Sequence, residues 1–283
     1  MWLKLETDLP TRSFKPRGAL WALSVAVTRR PVREVVACST GNHGAAVAFA
    51  AKALGVAATV FVQTSPNPVK RARITSLGAS VEEVGDMDLA EAFAAATDRA
   101  RAECVYFLDD ATDPDVPAGP GTIALEIVEQ LPSVDTIVVP IGDTALVRGV
   151  AVVARLLAPG VRIIGVQAER APAYTLSWRA GRAVPTERCD TIADGLATRL
   201  PDAENVRAIR ELVDDIVLAS DGQMLAAMRR LAIEERVVAE PAGAAAAAAL
   251  LNHPSLRGRQ TVALVTGANV ECRLLRAALR GGP

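Results

Sequence analysis

The chain has 283 residues, of which 51% are hydrophobic and 22% are charged, and its formal net charge is −1. This composition predicts a folded globular protein and excludes a disordered chain. Because the net charge is close to zero and no basic stripe is present, we expect no nucleic acid as a partner. The sequence also has no stretch of about 18 uncharged apolar residues, so we expect no membrane partner.

Cysteine and histidine are scarce, with four and two residues respectively. The cysteines are widely spaced and form no CxxC pair, and the first residues lack a secretion signal. We therefore expect reduced thiols in a cytoplasmic protein. Two histidines are too few for a histidine-rich zinc site.

Short β-rich runs alternate with alanine-rich amphipathic stretches, which predicts βαβ units and a mostly parallel sheet. The predicted strands are 34–38, 57–63, 80–85, 135–141, 161–167, 214–220 and 261–267. The predicted helices include 42–54, 88–102, 145–157, 221–235 and 242–252, the last of which we expect to be tightly packed and buried because of its alanine run.

A Pro-, Asp- and Gly-rich segment at 109–121 marks a break in the fold. We expect residues 37–114 to form a small α/β domain. It is inserted into a larger, discontinuous domain that consists of residues 1–36 and 115–283.

Residues 13–19 read SFKPRGA and contain Lys15, one of only four lysines in the chain. A residue before proline avoids the α region, so we expect Lys15 to be extended and Pro16 to begin a helix. An ammonium group beside the positive end of a helix has a lowered pKa, which a Schiff-base lysine requires. A surface lysine in a turn is the alternative interpretation.

The stretch ACSTGNHGAA (37–46) follows a predicted strand and precedes a predicted helix. Its hydroxyl, amide and backbone N–H groups at a helix N-terminus favour an anion-binding site. An ordinary helix cap by Ser, Thr or Asn is the alternative. We expect His43 to belong to this turn and not to act as a catalytic base.

Two further stretches run from a strand into a glycine turn, namely VVPIGDTALVRG (138–149) and LVTGAN (264–269). A third, GPGTIA (119–124), has the spacing of a dinucleotide-binding turn, but no strand precedes it and we reject that function. The sequence thus places polar groups at the C-terminal ends of several parallel strands, where ligands of open α/β sheets bind.

Eight stretches, taken in order, resemble the fold type II pyridoxal-phosphate enzymes, in particular the serine/threonine dehydratase and serine racemase branch. They are LKLE (3–6), SFKPRGA (13–19), STGNHG (39–44), GTIALEI (121–127), TIADGLA (191–197), ELVDDI (211–216), EPAGA (240–244) and TGAN (266–269). The resemblance implies two open twisted, mostly parallel sheet domains with the active site between them. It also implies pyridoxal 5'-phosphate as the cofactor and a homodimer.

The resemblance further implies roles for individual residues. Lys15 matches the lysine that binds the cofactor covalently and later moves the substrate α-proton. Phe14 matches a residue near the pyridine ring, Asn42 a donor to the phenolic oxygen, and Thr266 the hydroxyl that faces the ring nitrogen. The expected binders of the substrate carboxylate are Ser39, Thr40, Gly41, Asn42 and His43, and those of the phosphate are Gly142, Asp143, Thr144, Ala145 and Leu146.

The resemblance implies an ammonia-lyase, or dehydratase, that converts a small hydroxy amino acid such as serine or threonine into a 2-keto acid and ammonia. A hydroxyl at Thr266 does not keep the ring nitrogen protonated as a carboxylate would, which favours β-elimination over transamination. Three alternatives stay open: an amino-acid racemase, a β-replacement enzyme, and a catalytically impaired descendant that only binds ligands.

The phosphate loop departs from the family pattern, which has four glycines where this chain has Gly142-Asp143-Thr144-Ala145. A carboxylate about 4 Å from a phosphate costs about 4 kcal/mol per pair of unit charges at an effective dielectric constant of about 20. We therefore expect Asp143 to point away, Arg148 to compensate, or the cofactor to bind less tightly. We also expect Thr144 to donate its hydroxyl to the phosphate.

Other departures bear on activity. Thr40 stands where racemases have a second serine, which favours elimination. We expect no metal, because the cation site of the racemase branch would match Glu169 and the Ala173 carbonyl but has Thr175 at its aspartate position. The chain starts almost at LKLE and ends soon after TGAN. We expect a partner subunit to cover the surface this exposes, or an impaired enzyme, and no feedback control by isoleucine.

Overall fold

The computed structural model of the protein describes residues 1–39, 41–64, 68–85 and 89–281, with the backbone alone for residues 68–70. In chain order its strands and longer helices are β1 (Trp2–Leu5), α1 (Lys15–Arg29), β2 (Glu34–Cys38), α2 (Asn42–Leu54), β3 (Ala57–Gln63), α3 (Pro68–Ser76), β4 (Ser80–Val84), α4 (Leu89–Arg99), β5 (Val105–Phe107), α5 (Ala118–Gln130), β6 (Thr136–Pro140), α6 (Ala145–Leu157), β7 (Arg162–Ala168), α7 (Ala173–Ala180), α8 (Ala203–Leu212), β8 (Asp215–Ala219), α9 (Asp221–Glu234), α10 (Pro241–Asn252), β9 (Thr261–Val265) and α11 (Cys272–Arg280).

Contacts within the chain divide it into two compact units. The larger consists of Met1–Phe14 and Pro120–Pro283, and the smaller is Lys15–Gly119. This division assigns residues 15–36 to the smaller unit, because α1 packs on α2, whereas the sequence assigned them to the larger domain. The predicted domain boundaries stay a prediction.

The larger unit contains a five-stranded sheet in the order β1-β9-β6-β7-β8, and every pair in it is parallel. All residues of β6 and β9 are buried, as expected for parallel strands that are covered on both faces. Alternate residues serve the two faces: Val138 and Ala263 pack with α9 and α10, whereas Ile137 and Leu264 pack with α5, α6 and α8. The sheet is thus the middle layer of three.

The smaller unit contains a four-stranded sheet in the order β4-β3-β2-β5, again with parallel pairs only. Phe61 of β3 packs with α4, whereas the neighbouring Val60 faces α2 near Gly44. Both units are therefore parallel α/β structures, and the predicted fold class is confirmed. Among the helices that the structure describes, none is long and apolar enough to cross a membrane.

Helix α10 carries the alanine run and is buried from Pro241 to Leu250, as predicted. It contacts β6, β7, β8 and β9 as well as α9. Small side chains let a helix approach a sheet closely, so the alanines are required by the short distance between these layers. Helices 42–54 and 145–157 have the predicted bounds. The stretch GPGTIA lies inside α5 and forms no strand-to-helix turn.

We expect Ala246→Leu to lower the free energy of unfolding by about 1–3 kcal/mol, because Ala246 is fully buried and the added methyl groups have no space. The matched control is Ala226→Leu, an exposed position inside α9, where we expect a change below about 0.5 kcal/mol. Urea denaturation of the two variants and the parent measures both values. Equal effects at the two positions would contradict the close packing of α10.

Candidate active site

In the larger unit, the predicted phosphate loop and Thr266 follow neighbouring strands. Strands β6 and β9 pair in parallel, so both segments lie at the carboxyl edge of the sheet, where ligands bind in this fold class. Phe14 joins them, because its backbone N–H donates to the Thr266 carbonyl oxygen at 3.0 Å. The preceding Ser13 forms an antiparallel bridge with Gly267. Three predicted cofactor-binding elements thus share this edge: Phe14, the loop 142–146 and Thr266.

Thr144 has two unfavourable features that a bound anion would relieve. Its φ angle is 70°, in the left-handed region that a β-branched residue rarely adopts. Its Oγ1 atom is buried and has no hydrogen-bond partner among the described residues, which costs about 1–3 kcal/mol. Thr144 is also the N-cap of α6, whose first N–H groups lack acceptors within the helix. A buried hydroxyl donor at a helix N-terminus fits a phosphate group.

Asp143 is held by a second loop. Its Oδ1 atom accepts a hydrogen bond from Thr198 Oγ1 at 3.0 Å. Burial lowers the pKa of the Arg148 guanidinium, whereas Tyr174 and Asp202 act in the opposite direction. Compensation of the Asp143 charge by Arg148, and an orientation of Asp143 away from the phosphate, stay predictions.

Several of the eight stretches pack directly against one another in the larger unit. A Cβ atom on Gly142 would lie 2.3 Å from the Gly195 carbonyl oxygen, so the phosphate loop rests on TIADGLA. A Cβ atom on Gly243 of EPAGA would lie 2.3 Å from the carbonyl oxygen of Gly267 in TGAN. Only glycine permits these two contacts. The stretches therefore build the edge on which Thr144 and Thr266 lie.

Two other stretches have a structural role. Glu6 of LKLE is fully buried, and Lys4 Nζ lies 3.3 Å from its Oε1 atom. The same ammonium group donates to Glu126 Oε2 of GTIALEI at 2.6 Å. These ion pairs fasten the edge strand β1 to α5.

In the smaller unit, the predicted carboxylate-binding loop follows β2 and leads into α2. The N-cap is Gly41, without a side-chain cap, so the alternative of an ordinary cap by Ser, Thr or Asn is wrong for the described residues. A Cβ atom on Gly41 would meet nothing within 4 Å, whereas one on Gly44 would lie 2.8 Å from the Ser39 carbonyl oxygen. The open N-terminus beside Asn42 fits a small anion such as a carboxylate. Thr40 lies outside the described residues.

Lys15 is the first residue of α1, so the prediction that it is extended and precedes the helix is wrong by one residue. Proline at the second helical position is tolerated because the N–H groups of the first turn have no acceptor within the helix. The Nζ atom of Lys15 donates a hydrogen bond to Asp110 Oδ2. Both side chains are largely buried, with exposed fractions of 22% and 16%.

Asp110 is a site residue that sequence reasoning missed. It follows β5, which pairs in parallel with β2, so the loops after both strands share one edge. His43 lies in this cluster, with Nδ1 3.8 Å from Asp110 Oδ2 and Nε2 2.8 Å from the Leu108 carbonyl oxygen. Burial raises the pKa of the Asp110 carboxyl, but the positive charges of His43, when it is protonated, and of Lys15 outweigh burial and hold the pKa below its ordinary value. The carboxyl group is therefore ionised at neutral pH.

Thr175, which stands at the aspartate position of the racemase cation site, lies in α7. Thr175 donates from its backbone N–H and its hydroxyl to Gln167 Oε1, at 2.9 and 2.8 Å. In the part of the chain that the structure describes, no group of three or more His, Cys, Asp or Glu residues is arranged to hold a metal ion.

Comparison with known proteins gives one consistent family. Residues 1–267 match the family described as pyridoxal-phosphate dependent enzymes. A Thermotoga maritima protein named L-threonine ammonia-lyase is 35% identical over 282 residues, which span 100% of this chain and 70% of that protein. The chain therefore belongs to the pyridoxal-phosphate dependent enzymes, and the predicted family and cofactor are confirmed.

Two solved structures show the same relationship. The processed form of threonine deaminase isoform 2 from Solanum lycopersicum superposes with a TM-score of 0.92 at 30% identity, covering 99% of this chain and 77% of that one. Maize serine racemase superposes with a TM-score of 0.90 at 27% identity, covering 98% and 86%. The protein is thus similar to the dehydratase and racemase branch that its sequence resembles.

We expect Thr144→Gly to raise the free energy of unfolding of the cofactor-free protein by about 1 kcal/mol. Glycine adopts a positive φ without strain, and the substitution also removes a buried hydroxyl that lacks a partner. The control Thr144→Ala removes the same hydroxyl but keeps Cβ, so we expect a smaller gain. Urea unfolding of the three proteins measures the difference, and a Gly variant less stable than the parent would contradict the strain.

Proposed function

We propose that the protein is an ammonia-lyase that eliminates the β-hydroxyl of L-threonine or L-serine and yields a 2-keto acid and ammonia. The observation that carries the proposal is Lys15 at the first residue of α1, within a chain that belongs to the pyridoxal-phosphate dependent enzymes. The proteins named L-threonine ammonia-lyase and threonine deaminase, at 35% and 30% identity, support this choice of reaction.

Pyridoxal 5'-phosphate, when bound, supplies an electron-withdrawing ring that makes the substrate α-hydrogen acidic. In the proposal, Lys15 holds the cofactor, and the loop Gly142–Leu146 binds its phosphate with the Thr144 hydroxyl and the N–H groups at the start of α6. Phe14 lies near the ring. Asn42 donates to the phenolic oxygen, and the Thr266 hydroxyl faces the ring nitrogen.

Substrate binding is assigned to the N-terminus of α2. The loop Ser39–His43, including Thr40, receives the substrate carboxylate, and the positive end of the helix stabilises its charge. Support comes from Gly41, which leaves space where another residue would place a side chain. His43 orients this turn through its bond to Leu108 and does not act as the base.

The Lys15 amine is the proposed base. Its Nζ atom takes the α-proton from the substrate, the Cβ–O bond then breaks, and the hydroxide that leaves takes that proton from Nζ to become water. The released enamine tautomerises and adds water, which gives the 2-keto acid and ammonia. The role of Lys15 is therefore to hold a proton between two steps, which a group with an adjustable pKa performs well.

The first experiment is to record the visible absorbance of the purified protein, add L-threonine or L-serine, and assay ammonia. We expect a cofactor band that changes with substrate, together with ammonia release. Lys15→Ala should lower the rate of ammonia release by at least about 10²- to 10⁴-fold, because it removes the base. The control is Lys52→Ala, which removes an exposed lysine of α2 and should leave the rate unchanged.

A bound cofactor without ammonia release from either substrate would overturn the proposed reaction. A protein that stays colourless with added pyridoxal 5'-phosphate would instead support the impaired, ligand-binding descendant. Racemisation is the second candidate, because maize serine racemase shares the fold over 98% of this chain. Chiral analysis of the remaining serine in the same assay measures it directly, and accumulation of D-serine at a rate above ammonia release would favour racemisation.

A homodimer in the cytoplasm, without nucleic acid or membrane as a partner, is also part of the proposal. Support for a subunit contact comes from apolar side chains exposed on α5 and α6 of the larger unit, namely Leu125, Val152 and Leu156. The net charge of −1 supports the expectation that the protein does not bind nucleic acid.

We expect Asp143→Asn to tighten the binding of pyridoxal 5'-phosphate by about tenfold. The change removes a negative charge from the proposed phosphate loop. The amide oxygen still accepts the hydrogen bond from Thr198. Titration of the cofactor-free protein measures this affinity, and Asp190→Asn, which removes an exposed carboxylate elsewhere, is the matched control.

Pyridoxal without the phosphate is the second control for this prediction. Its affinity should not change in Asp143→Asn, because the repulsion requires the phosphate charge. An equal gain for both ligands would show that Asp143 does not act on the phosphate.

A further inference from the structure

Three side chains from separate parts of the smaller unit meet at one carboxylate. Lys15 begins α1, His43 lies in the first turn of α2, and Asp110 follows β5. The Lys15 ammonium donates to Asp110 Oδ2, and His43 Nδ1 lies 3.8 Å from the same oxygen. Asp110 belongs to none of the eight stretches that carry the family resemblance.

The hydrogen bond to Leu108 determines which ring nitrogen of neutral His43 carries the proton. A carbonyl oxygen only accepts hydrogen bonds, so the proton of neutral His43 lies on Nε2. Nδ1 then faces Asp110 with a lone pair, and a second proton on His43 would point toward the carboxylate. Both neighbours of Asp110 therefore favour its ionised form when they carry their protons.

The other titratable groups near this cluster, Cys38 and Asp109, add no positive charge beside Asp110. Burial, followed by Asp109 and Asp110, raises the pKa of the Cys38 thiol to about 12, so this group is neutral at physiological pH. Asp109 accepts hydrogen bonds from the Ala111 backbone N–H and the Thr112 hydroxyl within its own turn. The groups that stabilise the Asp110 carboxylate are thus Lys15 and, when it is protonated, His43.

We propose that Asp110 is a positioning residue that holds the Lys15 amine in its protonated form. This inference rests on the proposed function, in which Lys15 must keep a proton between its removal from the substrate and its delivery to the leaving group. A partly buried carboxylate in contact with Nζ stabilises the ammonium and fixes its position. Asp110 acts through Lys15 and does not itself take the substrate proton, because the ammonium that contacts it stabilises its ionised form.

The same contact has a consequence before the cofactor binds. Covalent attachment requires the neutral amine of Lys15, and the salt bridge to Asp110 disfavours that form. We therefore expect Asp110 to slow the attachment of pyridoxal 5'-phosphate to the cofactor-free protein and to make Lys15 a poor nucleophile toward other reagents.

The test is trace labelling of the full-length, cofactor-free protein with acetic anhydride at pH 7, followed by mass spectrometry of the peptides. Neutral amines react and ammonium groups do not, and only four lysines need to be assigned. We expect Asp110→Asn to raise the labelling rate of Lys15 by about tenfold relative to Lys52, the effect of removing an adjacent opposite charge.

Two variants distinguish a charge effect from a loss of local structure. Asp109→Asn removes the neighbouring carboxylate, which accepts hydrogen bonds within its own turn, and should change the ratio less than twofold. Asp110→Glu restores the charge and should return labelling close to the parent rate. An unchanged ratio in Asp110→Asn, an equal rise in Asp109→Asn, or an equal rise at every lysine would each overturn the proposal.

A measurement on the parent protein keeps the proposal testable if Asp110→Asn does not fold. The midpoint pH of Lys15 labelling should lie at or above that of N-acetyl-lysine amide. A midpoint clearly below that reference would overturn the proposal, since burial and the N-terminus of α1 alone act in that direction. No substrate or turnover enters either measurement, so failure of the proposed lyase reaction would leave the outcome for Asp110 readable.

Discussion

The parallel pairing of all strands determines where this protein carries chemistry. Parallel strands covered on both faces must be apolar along their length, as β6 and β9 are, so polar groups are confined to the loops at strand ends. The pairing of β6 with β9 brings Thr144 and Thr266 to one edge, and the pairing of β2 with β5 brings Asn42 and Asp110 to another. Each of these groups lies just after a strand, so the pairing of the strands determines which groups come close together.

Helix N-termini contribute positive potential at these edges. Helices α1, α2 and α6 begin at Lys15, Asn42 and Ala145, directly within the stretches that carry the family resemblance. The N-caps of α2 and α6 make no side-chain hydrogen bond to the helix, because Gly41 has no side chain and the Thr144 hydroxyl forms no such bond. A helix end without its own cap is less stable but keeps N–H donors available for a ligand. The protein thus gives up local stability at the positions where anions are expected to bind.

The sequence was sufficient to predict the strands and helices that have a clear hydrophobic pattern. Strand 34–38 and helices 42–54 and 145–157 have the expected bounds, because a buried apolar run or a full amphipathic pattern marks each one. The short strands β1 and β5 were missed, since four and three half-buried residues carry little periodicity. Helix α5 was obscured by its own glycine and proline residues, and Asp110 by a turn whose composition indicates only a break. Its contact with Lys15 depends on sheet pairing, which local patterns do not contain.

Lys15 experiences two electrostatic effects of opposite sign, and their balance decides what the residue can do. The N-terminus of α1 and the burial of the side chain favour the neutral amine, which a nucleophile and base requires. Asp110 favours the ammonium, which a proton carrier requires. A lysine under the first influence alone would release its proton too readily to hold it, and one under the second alone would rarely be neutral enough to react. Because the Asp110 carboxylate contacts Nζ directly, whereas the helix N-terminus acts through partial charges, the ammonium is the favoured form in the cofactor-free protein.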